Sequence, residues 1–298
     1  MTQLRKNRTY KLEQSILYKL KSKNKLAHLL GLKLLNLKTL QDDQFYSCFQ
    51  VEGDRKIQHP QGDLYNVHKY LGKLLSRIEV PKYLHSGIKK HSSITNAQSH
   101  LLSQYKTLTT DIESFFPSTS AKKVFDFFFY IMKQSPDVAN LLTNLLTYQG
   151  HIPTGSPVSM SLAFFANINM FNELDCFAKN RGCKMTVFVD DLTFTGKAIN
   201  ANFLLHVEKI VAKNNLKLKK SKTNLFQENS PKFITGVVVK NNQIEPEYNQ
   251  LKKLREDEYN YINHPNDPKN QLIYNGRLAY LSQISKNLKA KMDLKKVG

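Results

Sequence analysis

Three aspartates have the residue type and the setting that best suit catalysis. Asp190 and Asp191 stand side by side between two β-rich runs, Met185 to Val189 and Leu192 to Thr195, where a β-hairpin would place its turn. Two adjacent carboxylates at a hairpin tip do little for packing, but a divalent cation would neutralise them. Mg²⁺ takes oxygen ligands and usually uses one or two carboxylates together with phosphate oxygens. For an Asp-Asp pair alone, a solvated turn is the more common interpretation.

A third carboxylate upstream favours the metal site. Thr107 to Ile112 is rich in β-branched residues and predicts a strand, with Asp111 at its end. Pro117-Ser118 then opens a predicted helix. A carboxylate where a core strand turns into a helix is well placed to be a ligand. The alternative for Asp111 is a turn at the start of that helix.

The composition indicates a polyanionic partner. The 298 residues are 41% hydrophobic, enough for a large core or two to three subdomains. Lysine and arginine number 44 against 24 acidic residues, a net charge of +20 that favours nucleic acid. Three cysteines show no metal-ligand spacing and no even framework, which fits a reducing cytoplasm. The basic N-terminus lacks an apolar core and no run of 18 apolar residues occurs, so we expect neither secretion nor membrane insertion.

The remaining segments predict the elements that must position the aspartates. Phe45 to Val51 predicts a strand, Glu52-Gly53-Asp54 a turn, and Arg55-Lys56-Ile57 the start of a return strand. The basic pair on this hairpin could hold a triphosphate by charge-assisted contacts or could simply line a solvated strand edge. Tyr65 to Ile78 predicts an amphipathic helix, and the first 40 residues combine leucines at helical spacing with ten lysines or arginines.

Later segments predict a second set of elements. Residues 149–157 form a Gly/Pro loop before a long helix to about Gly182, and amide groups at such a helix start suit a phosphate or a template base pair. Ala201 to Asn214 predicts another helix. Phe233 to Lys240 predicts a strand, and residues 244–298 predict basic helices.

A polar, histidine-rich stretch spans residues 85–100. Its histidines are irregularly spaced and lack the cysteine or HExxH partners of a zinc site, so we expect a loop and helix start that contacts nucleic acid. Asn96 and His100 are four residues apart and would share one helical face. The alternative is that both residues cap and pack a helix.

The motifs together resemble those of a known family. In chain order, Asp111, Gly155-Ser156-Pro157 and Phe188-Val189-Asp190-Asp191 are similar to the palm motifs of reverse transcriptases. Asn96 to His100 resembles the NAxxH motif, and Ile234-Thr235-Gly236 the VTG motif, of retron reverse transcriptases, bacterial enzymes that make branched multicopy single-stranded DNA. The likeness extends from Leu26 through Tyr280.

Three positions depart from the family pattern. The usual Tyr-Ala-Asp-Asp is Phe-Val-Asp-Asp, Thr154 replaces a glutamine, and Ile234 replaces a valine. None of these changes removes a metal ligand. The first two bear on fidelity and nucleotide contacts rather than on the reaction.

The carboxylates and the resemblance together imply a division of roles. Asp111 and Asp190, with Asp191 assisting, would hold two Mg²⁺ about 4 Å apart. Ile112 is the further metal-binding position. The resemblance implies nucleotide-binding and RNA-binding positions as follows: Arg55, Lys56, Phe115, Phe116, Gly155 and Lys222 for the nucleotide, and Asn96, His100, Thr235 and Gly236 for RNA.

Two of these nucleotide contacts have a specific implied function. By the resemblance, Phe116 lies beneath the incoming sugar and would clash with a ribose 2′-OH. From the residue types alone, Phe115 and Phe116 would by default belong to the core. Lys222 is similar to the lysine that approaches the leaving pyrophosphate, although a solvated charge at a strand end is an equal alternative.

The implied architecture is an α+β right-hand polymerase. It would comprise N-terminal helices and fingers (1–105), an antiparallel-sheet palm with interleaved fingers helices (106–240) and a small helical thumb (241–298). The thumb ends the chain, so we expect no RNase H, maturase or endonuclease domain.

The resemblance also implies a biological setting. The expected partners are deoxynucleoside triphosphates, a cognate structured non-coding RNA primed from a guanosine 2′-OH, its single-stranded DNA product, and an effector protein of the same anti-phage defence system. Two alternatives remain open: another bacterial reverse transcriptase of the group II intron or abortive-infection type, or a catalytically silent RNA-binding subunit with the same fold.

Overall fold

The fold alternates helices and short antiparallel strands, as the predicted α+β class requires. The computed structural model describes residues 9–51, 53 and 55–295, with side chains described through residue 290. The predicted turn residues Glu52 and Asp54 lie outside the described residues. In the described ranges, no helix is both long enough and apolar enough to cross a membrane. Cys48, Cys176 and Cys183 are free thiols.

The first part of the chain is mainly helical. Its elements are α1 (Lys23–Leu30), α2 (Leu34–Thr39), β1 (Tyr46–Val51), β2 (Arg55–Pro60), α3 (Gly62–Leu75) and α4 (Ser93–Gln98). Ser22 caps α1 by accepting the Lys25 N–H, and Gly31 ends it in the left-handed conformation at φ 69°. The predicted leucine-striped segment is therefore two short helices.

The middle of the chain contains the largest sheet. Its elements are β3 (Lys106–Asp111), α5 (Phe115–Ser118), α6 (Ala121–Asp126), α7 (Pro136–Leu146), α8 (Ser159–Ala166), α9 (Ile168–Lys179), β4 (Lys184–Phe188), β5 (Asp191–Gly196), α10 (Ala201–Lys213) and β6 (Asn224–Phe226). The four strands are antiparallel in the order β4-β5-β3-β6. Strands β3 and β5 are central and buried along most of their length, so both sheet faces are covered at these two strands.

The last part of the chain packs around a smaller core. Its elements are β7 (Lys232–Ile234), β8 (Val237–Lys240), β9 (Gln243–Pro246), α11 (Tyr248–Asn263), α12 (Pro268–Ser282) and α13 (Lys286–Lys295). The larger apolar cluster draws its residues from Leu17 to Leu216. The smaller cluster joins Ile94 and Ala97 of α4 to residues between Ile234 and Ile284. Helix α4 therefore packs with the C-terminal elements.

Several predicted elements differ from the structure. The predicted strand from Phe233 to Lys240 is two strands, because Thr235 (φ 46°) and Gly236 (φ 77°) form a tight turn between β7 and β8. The predicted long helix ending near Gly182 breaks at Asn167, whose side chain donates to Ala163 O and Thr119 Oγ1. The predicted C-terminal helical region starts with strand β9.

The helix predicted to open at Pro117-Ser118 also has a different boundary. These residues end the four-residue helix α5, and the next helix begins at Ala121. A π-helical stretch, Phe127–Ile131, continues from α6 and contains Phe128 and Phe129. The Tyr65 to Ile78 helix is present as α3, shifted three residues toward the N-terminus.

Helix α3 packs closely on the loop before α8 at Gly72. A Cβ at Gly72 would lie 2.9 Å from Pro157 O and 3.3 Å from Val158 Cα. Gly72→Ala should therefore lower the free energy of unfolding by about 1–3 kcal/mol, despite alanine's helix propensity. Gly276→Ala on α12 is the matched control, since its Cβ meets nothing within 4 Å, and it should stabilise by up to about 1 kcal/mol. Urea unfolding measures both, and equal stabilisation would contradict the tight contact.

Candidate active site

The Asp190-Asp191 pair lies at the predicted hairpin. Strands β4 and β5 pair through Phe188 and Asp191, which leaves Val189 and Asp190 as a two-residue turn. Val189 has φ 61°, whereas Asp190 has a negative φ, the pattern of a type II′ turn that favours glycine at its first central position. A β-branched residue there costs on the order of 1–3 kcal/mol. The hairpin therefore holds strain next to Asp190.

The third aspartate lies across the sheet from this hairpin. In the antiparallel register of β3 and β5, Asp111 is directly opposite Asp191. The Ile112 N–H donates to Asp190 O at 3.0 Å, which ties the end of β3 to the turn. The structure thus brings together the three predicted carboxylates and Ile112.

The pKa values of the hairpin carboxyls indicate electrostatic repulsion. Burial, followed by the Asp111 charge, raises the pKa of Asp190. Burial, followed by the charges of Asp190 and Asp111, raises the pKa of Asp191 to about 6. At neutral pH these carboxylates are ionised, although burial and the neighbouring negative charges disfavour the charged form. Binding of a cation is therefore favourable.

Lys222 supplies one positive charge to this cluster. It lies in the 3-10 turn Lys220–Lys222, and its Nζ donates to Asp111 Oδ2 at 2.5 Å. The hydrogen bond to Asp111 raises the pKa of Lys222. The Lys219 N–H also donates to Asp111 O at 2.8 Å, which holds this turn against β3. Lys222 therefore reaches the aspartates, while its contact with pyrophosphate stays a prediction.

The donor set fits a hard cation. In the described part of the chain, no group of three or more acidic, histidine or cysteine side chains is already positioned to hold a metal ion. However, the Asp111 charge raises the pKa of both Asp190 and Asp191, and the Lys222 ammonium already pairs with the Asp111 carboxylate as a cation would. Carboxylate oxygens are the ligands that Mg²⁺ prefers. These residues are thus suited to Mg²⁺, which would complete its shell with phosphate and water oxygens.

The predicted basic pair lies on the edge of this region. Arg55 and Lys56 are exposed on β2, opposite Val51 and Gln50 of β1. The Arg55 charge contributes to lowering the pKa of Asp190, against the larger effects that raise it. Arg55 is therefore within electrostatic range of the aspartates.

The Gly155 loop docks onto the same hairpin. Gln58 of β2 donates its N–H to Thr154 O at 2.7 Å, and its Oε1 accepts the Thr154 N–H at 2.8 Å. Gly155 has φ 106°, and a Cβ there would lie 2.6 Å from Ile57 Cγ2. Glycine is required at this position by both backbone conformation and space.

His68 supports this loop, and the sequence analysis did not identify it. It is fully buried on α3, with Nδ1 2.6 Å from Ser156 Oγ and Nε2 2.7 Å from Leu145 O. Burial lowers its pKa to about 4, so the ring is neutral at pH 7. We assign the proton to Nε2, which donates to Leu145 O, while Nδ1 accepts the Ser156 hydroxyl. A single histidine on the apolar face of a helix gave no signal for this contact.

Phe115 and Phe116 have different environments. Phe115 is buried and packs edge-on against Phe171, with ring centroids 6.0 Å apart. Its side chain is therefore part of the core, which corrects its assignment as a nucleotide contact. Phe116 is half-buried and packs against the larger apolar cluster, and its contact with the incoming sugar stays a prediction.

The predicted RNA-binding residues form two sets of interior contacts. Asn96 Nδ2 donates to Thr235 Oγ1 at 3.3 Å, and Thr235 Oγ1 donates to Ser93 O at 3.1 Å. The NAQSH and ITG segments are thus in contact. Thr235 and exposed Gly236 also line a cleft of about 410 Å³ that includes Asp191.

His100 points into the large sheet. Its Nδ1 lies 2.9 Å from Thr195 Oγ1, and its Nε2 lies 2.7 Å from Thr186 Oγ1. Burial lowers its pKa to about 3. In this conformation neither Asn96 nor His100 reaches solvent, so their side chains cannot contact RNA directly, which corrects that part of the prediction.

Replacing Asp191 should stabilise the metal-free protein and weaken its stabilisation by Mg²⁺. Asp191→Asn removes one of the repelling charges, so it should raise the thermal unfolding temperature of the metal-free protein at pH 8. Added Mg²⁺ should then stabilise the wild type more than the variant. Glu113→Gln, the same charge change at an exposed position after β3, is the control and should leave both values unchanged. A lower unfolding temperature for Asp191→Asn in EDTA would contradict the repulsion.

Comparisons with known proteins identify similar sequences and a similar fold. No protein-family model matches the chain. The chain is 30% identical over 213 residues to the retron Se72 reverse transcriptase of Salmonella heidelberg, covering 65% of this chain and 55% of that protein. It is 29% identical over 174 residues to the retron Ec86 reverse transcriptase of Escherichia coli, covering 57% and 53%. The chain thus aligns with about half the length of the curated relatives it matches.

A solved structure shares the fold at low sequence identity. Telomerase from Candida albicans, in complex with a TWJ fragment of telomeric RNA, superposes with a TM-score of 0.50 and 10% identity, covering 73% of this chain and 50% of that chain. This likeness extends to the fold alone. The two sequence matches confirm the resemblance to retron reverse transcriptases that the motifs predict.

Proposed function

We propose that this chain is an RNA-directed DNA polymerase of the retron type. It would copy part of a cognate structured non-coding RNA into single-stranded DNA that stays linked to the RNA. The observation that carries the proposal is the Asp111–Asp191 register, which places two carboxylates opposite each other beside Asp190 in a chain similar to retron reverse transcriptases.

In the proposed reaction, a terminal hydroxyl attacks the α-phosphorus of a deoxynucleoside triphosphate, and pyrophosphate leaves in line. Asp111, Asp190 and Asp191, with the Ile112 carbonyl, would hold two Mg²⁺. When bound, Mg²⁺ lowers the pKa of the attacking hydroxyl and neutralises charge on the triphosphate and pyrophosphate. The aspartates keep their ligand oxygens on neighbouring strands, and Lys222 offers a proton and a positive charge beside Asp111.

The nucleotide would lie between the aspartates and the β1–β2 hairpin. Arg55 and Lys56 supply positive charge at the hairpin, and Arg55 acts on Asp190 electrostatically. The Gly155 loop is hydrogen-bonded to the same hairpin, so its backbone and the basic pair would contact the nucleotide together. Half-buried Phe116 would lie beneath the sugar and exclude a 2′-OH.

In this proposal the architecture is that of a right-hand polymerase. The palm (106–240) contains the four-stranded sheet, the fingers and N-terminal helices (1–105) contain β1 and β2, and the thumb (241–298) contains α11 to α13. The smaller apolar cluster, which joins α4 to the C-terminal helices, supports a distinct C-terminal unit.

The wider setting is proposed by analogy with the retron relatives. Priming would start from a guanosine 2′-OH of the cognate RNA in the cytoplasm, and the RNA-linked DNA would act with an effector protein in anti-phage defence. The net charge of +20 supports an RNA and DNA partner. A second candidate, a catalytically silent RNA-binding subunit, is not favoured by three intact carboxylates.

Removing a carboxylate should abolish DNA synthesis while the fold survives. Asp111→Asn and Asp190→Asn each delete a metal ligand, so we expect extension of oligo(dT) on poly(rA) to fall by on the order of 10³-fold or more. Asp126→Asn, an acid that pairs with Lys122 on α6, is the control. Unchanged extension by either active-site variant would reject the metal assignment and favour the silent subunit.

Phe116→Ala should admit ribonucleotides. Loss of the ring would open space for a 2′-OH, so discrimination between deoxyribo- and ribonucleotides should fall by about 10- to 100-fold. The measurement compares kcat/KM for dATP and ATP. Phe125→Ala, which removes another half-buried ring stacked on Phe129, is the control. Equal discrimination in wild type and Phe116→Ala would assign Phe116 to packing alone.

A further inference from the structure

A short segment before α4 runs alongside the outer edge of β4. The Val187 N–H donates to Tyr83 O, and the His85 N–H donates to Val187 O, both at 2.8 Å. Leu84 and Val187 form the parallel bridge between these two bonds. Tyr83 is fixed in turn, because its hydroxyl donates to Asn172 Oδ1 on α9 at 2.7 Å. The segment is therefore held in place by both β4 and α9.

The same segment reaches the strained turn through one side chain. Ser86 follows His85, is buried, and accepts the Val189 N–H on its Oγ at 2.9 Å. Val189 is the residue with φ 61° at the turn position that favours glycine. Its amide lies directly before Asp190. The Ser86 hydroxyl thus accepts a hydrogen bond from Val189, whose backbone conformation is unfavourable for a β-branched side chain.

We infer that Ser86 is a positioning residue for the carboxylate hairpin. Its hydroxyl retains Val189 in the left-handed conformation, and this conformation orients Asp190 and the start of β5 at Asp191. Without the hydroxyl, the turn can relax toward a conformation that valine prefers, and the two carboxylates rotate away from Asp111. The catalytic consequence rests on the proposed polymerase function, whereas the positioning itself does not.

The surroundings of Ser86 make it a suitable site for substitution. Ser86 lines a cavity of about 370 Å³ whose other walls include Ile88, Met160 and Phe164. The cavity has room for the extra methyl group of threonine, so Ser86→Thr can keep the hydroxyl. Ser86→Ala removes the hydroxyl that accepts the Val189 N–H. Ser76 lines the same cavity but donates to Lys73 O on its own helix, so Ser76→Ala is the matched control.

The first experiment is independent of catalysis. Amide hydrogen exchange at Val189 is measured by NMR in the metal-free protein. Ser86→Ala should accelerate exchange on the order of tenfold, the effect of losing one hydrogen bond. Ser86→Thr and Ser76→Ala should exchange at the wild-type rate. An unchanged Val189 rate in Ser86→Ala would overturn the inference.

The second experiment is a kinetic cycle with Val189→Gly. In the wild-type background, Ser86→Ala should lower kcat about tenfold and raise the MgCl₂ concentration for half-maximal extension, with KM for the annealed template-primer unchanged. Glycine adopts the left-handed conformation without strain, so in the Val189→Gly background the same substitution should lower kcat less than about twofold.

The outcomes of the two experiments are distinguishable. An equal loss of kcat in both backgrounds would overturn the inference, because Ser86 would then act elsewhere than through Val189. A wild-type protein that extends no primer, yet shows the expected exchange rates, would reject the proposed polymerase and leave the positioning role supported.

Discussion

The structure depends on holding three like charges together at one end of a sheet. Asp111 and Asp191 are opposite each other on β3 and β5, and Asp190 adjoins them through its bond to Ile112. Such repulsion would separate residues on a flexible loop. Here β3 and β5 are the two central strands, each paired on both sides and buried, so backbone hydrogen bonds and apolar packing oppose the repulsion. The Lys222 ammonium offsets part of the charge.

A second set of contacts joins this sheet to the C-terminal elements. His100 is bonded within the sheet to Thr186 and Thr195, while Asn96, one helical turn earlier, bonds to Thr235 at the β7–β8 turn. Lys232 of β7 is fully buried and donates to Leu102 O and Ser103 O. The NAQSH and ITG segments therefore connect the two apolar clusters. The hydrogen bonds of their polar side chains fix the position of one cluster relative to the other.

The elements that could be predicted from the sequence were those defined by local pattern. The β-branched runs before Asp111 and around Asp190-Asp191 predicted the strands that carry the site, because alternation and β-branching are local properties. Contacts between residues that are far apart in the sequence produce no such local pattern. The pairing of Asn96 with Thr235, the burial of His100 and the support of Ser156 by His68 depend on residues 80 to 140 positions apart. Turns inside apolar runs were missed for a related reason, since Thr235 takes a positive φ that its residue type does not predict.

The charge distribution of the chain fits the proposed function at two length scales. Over the whole molecule, an excess of 20 positive charges creates a field that attracts a polyanion from a distance and weakens with salt. At the aspartates the sign reverses locally, because Asp111 and Asp191 are opposite each other on paired strands and Asp190 adjoins Asp191 in the turn. A uniformly basic site would hold a nucleic acid but could not hold the cations that phosphoryl transfer requires. A uniformly acidic surface would repel the template. Placing carboxylates at the end of β3 and in the β4–β5 hairpin, in a chain with 44 basic and 24 acidic residues, allows both interactions at once.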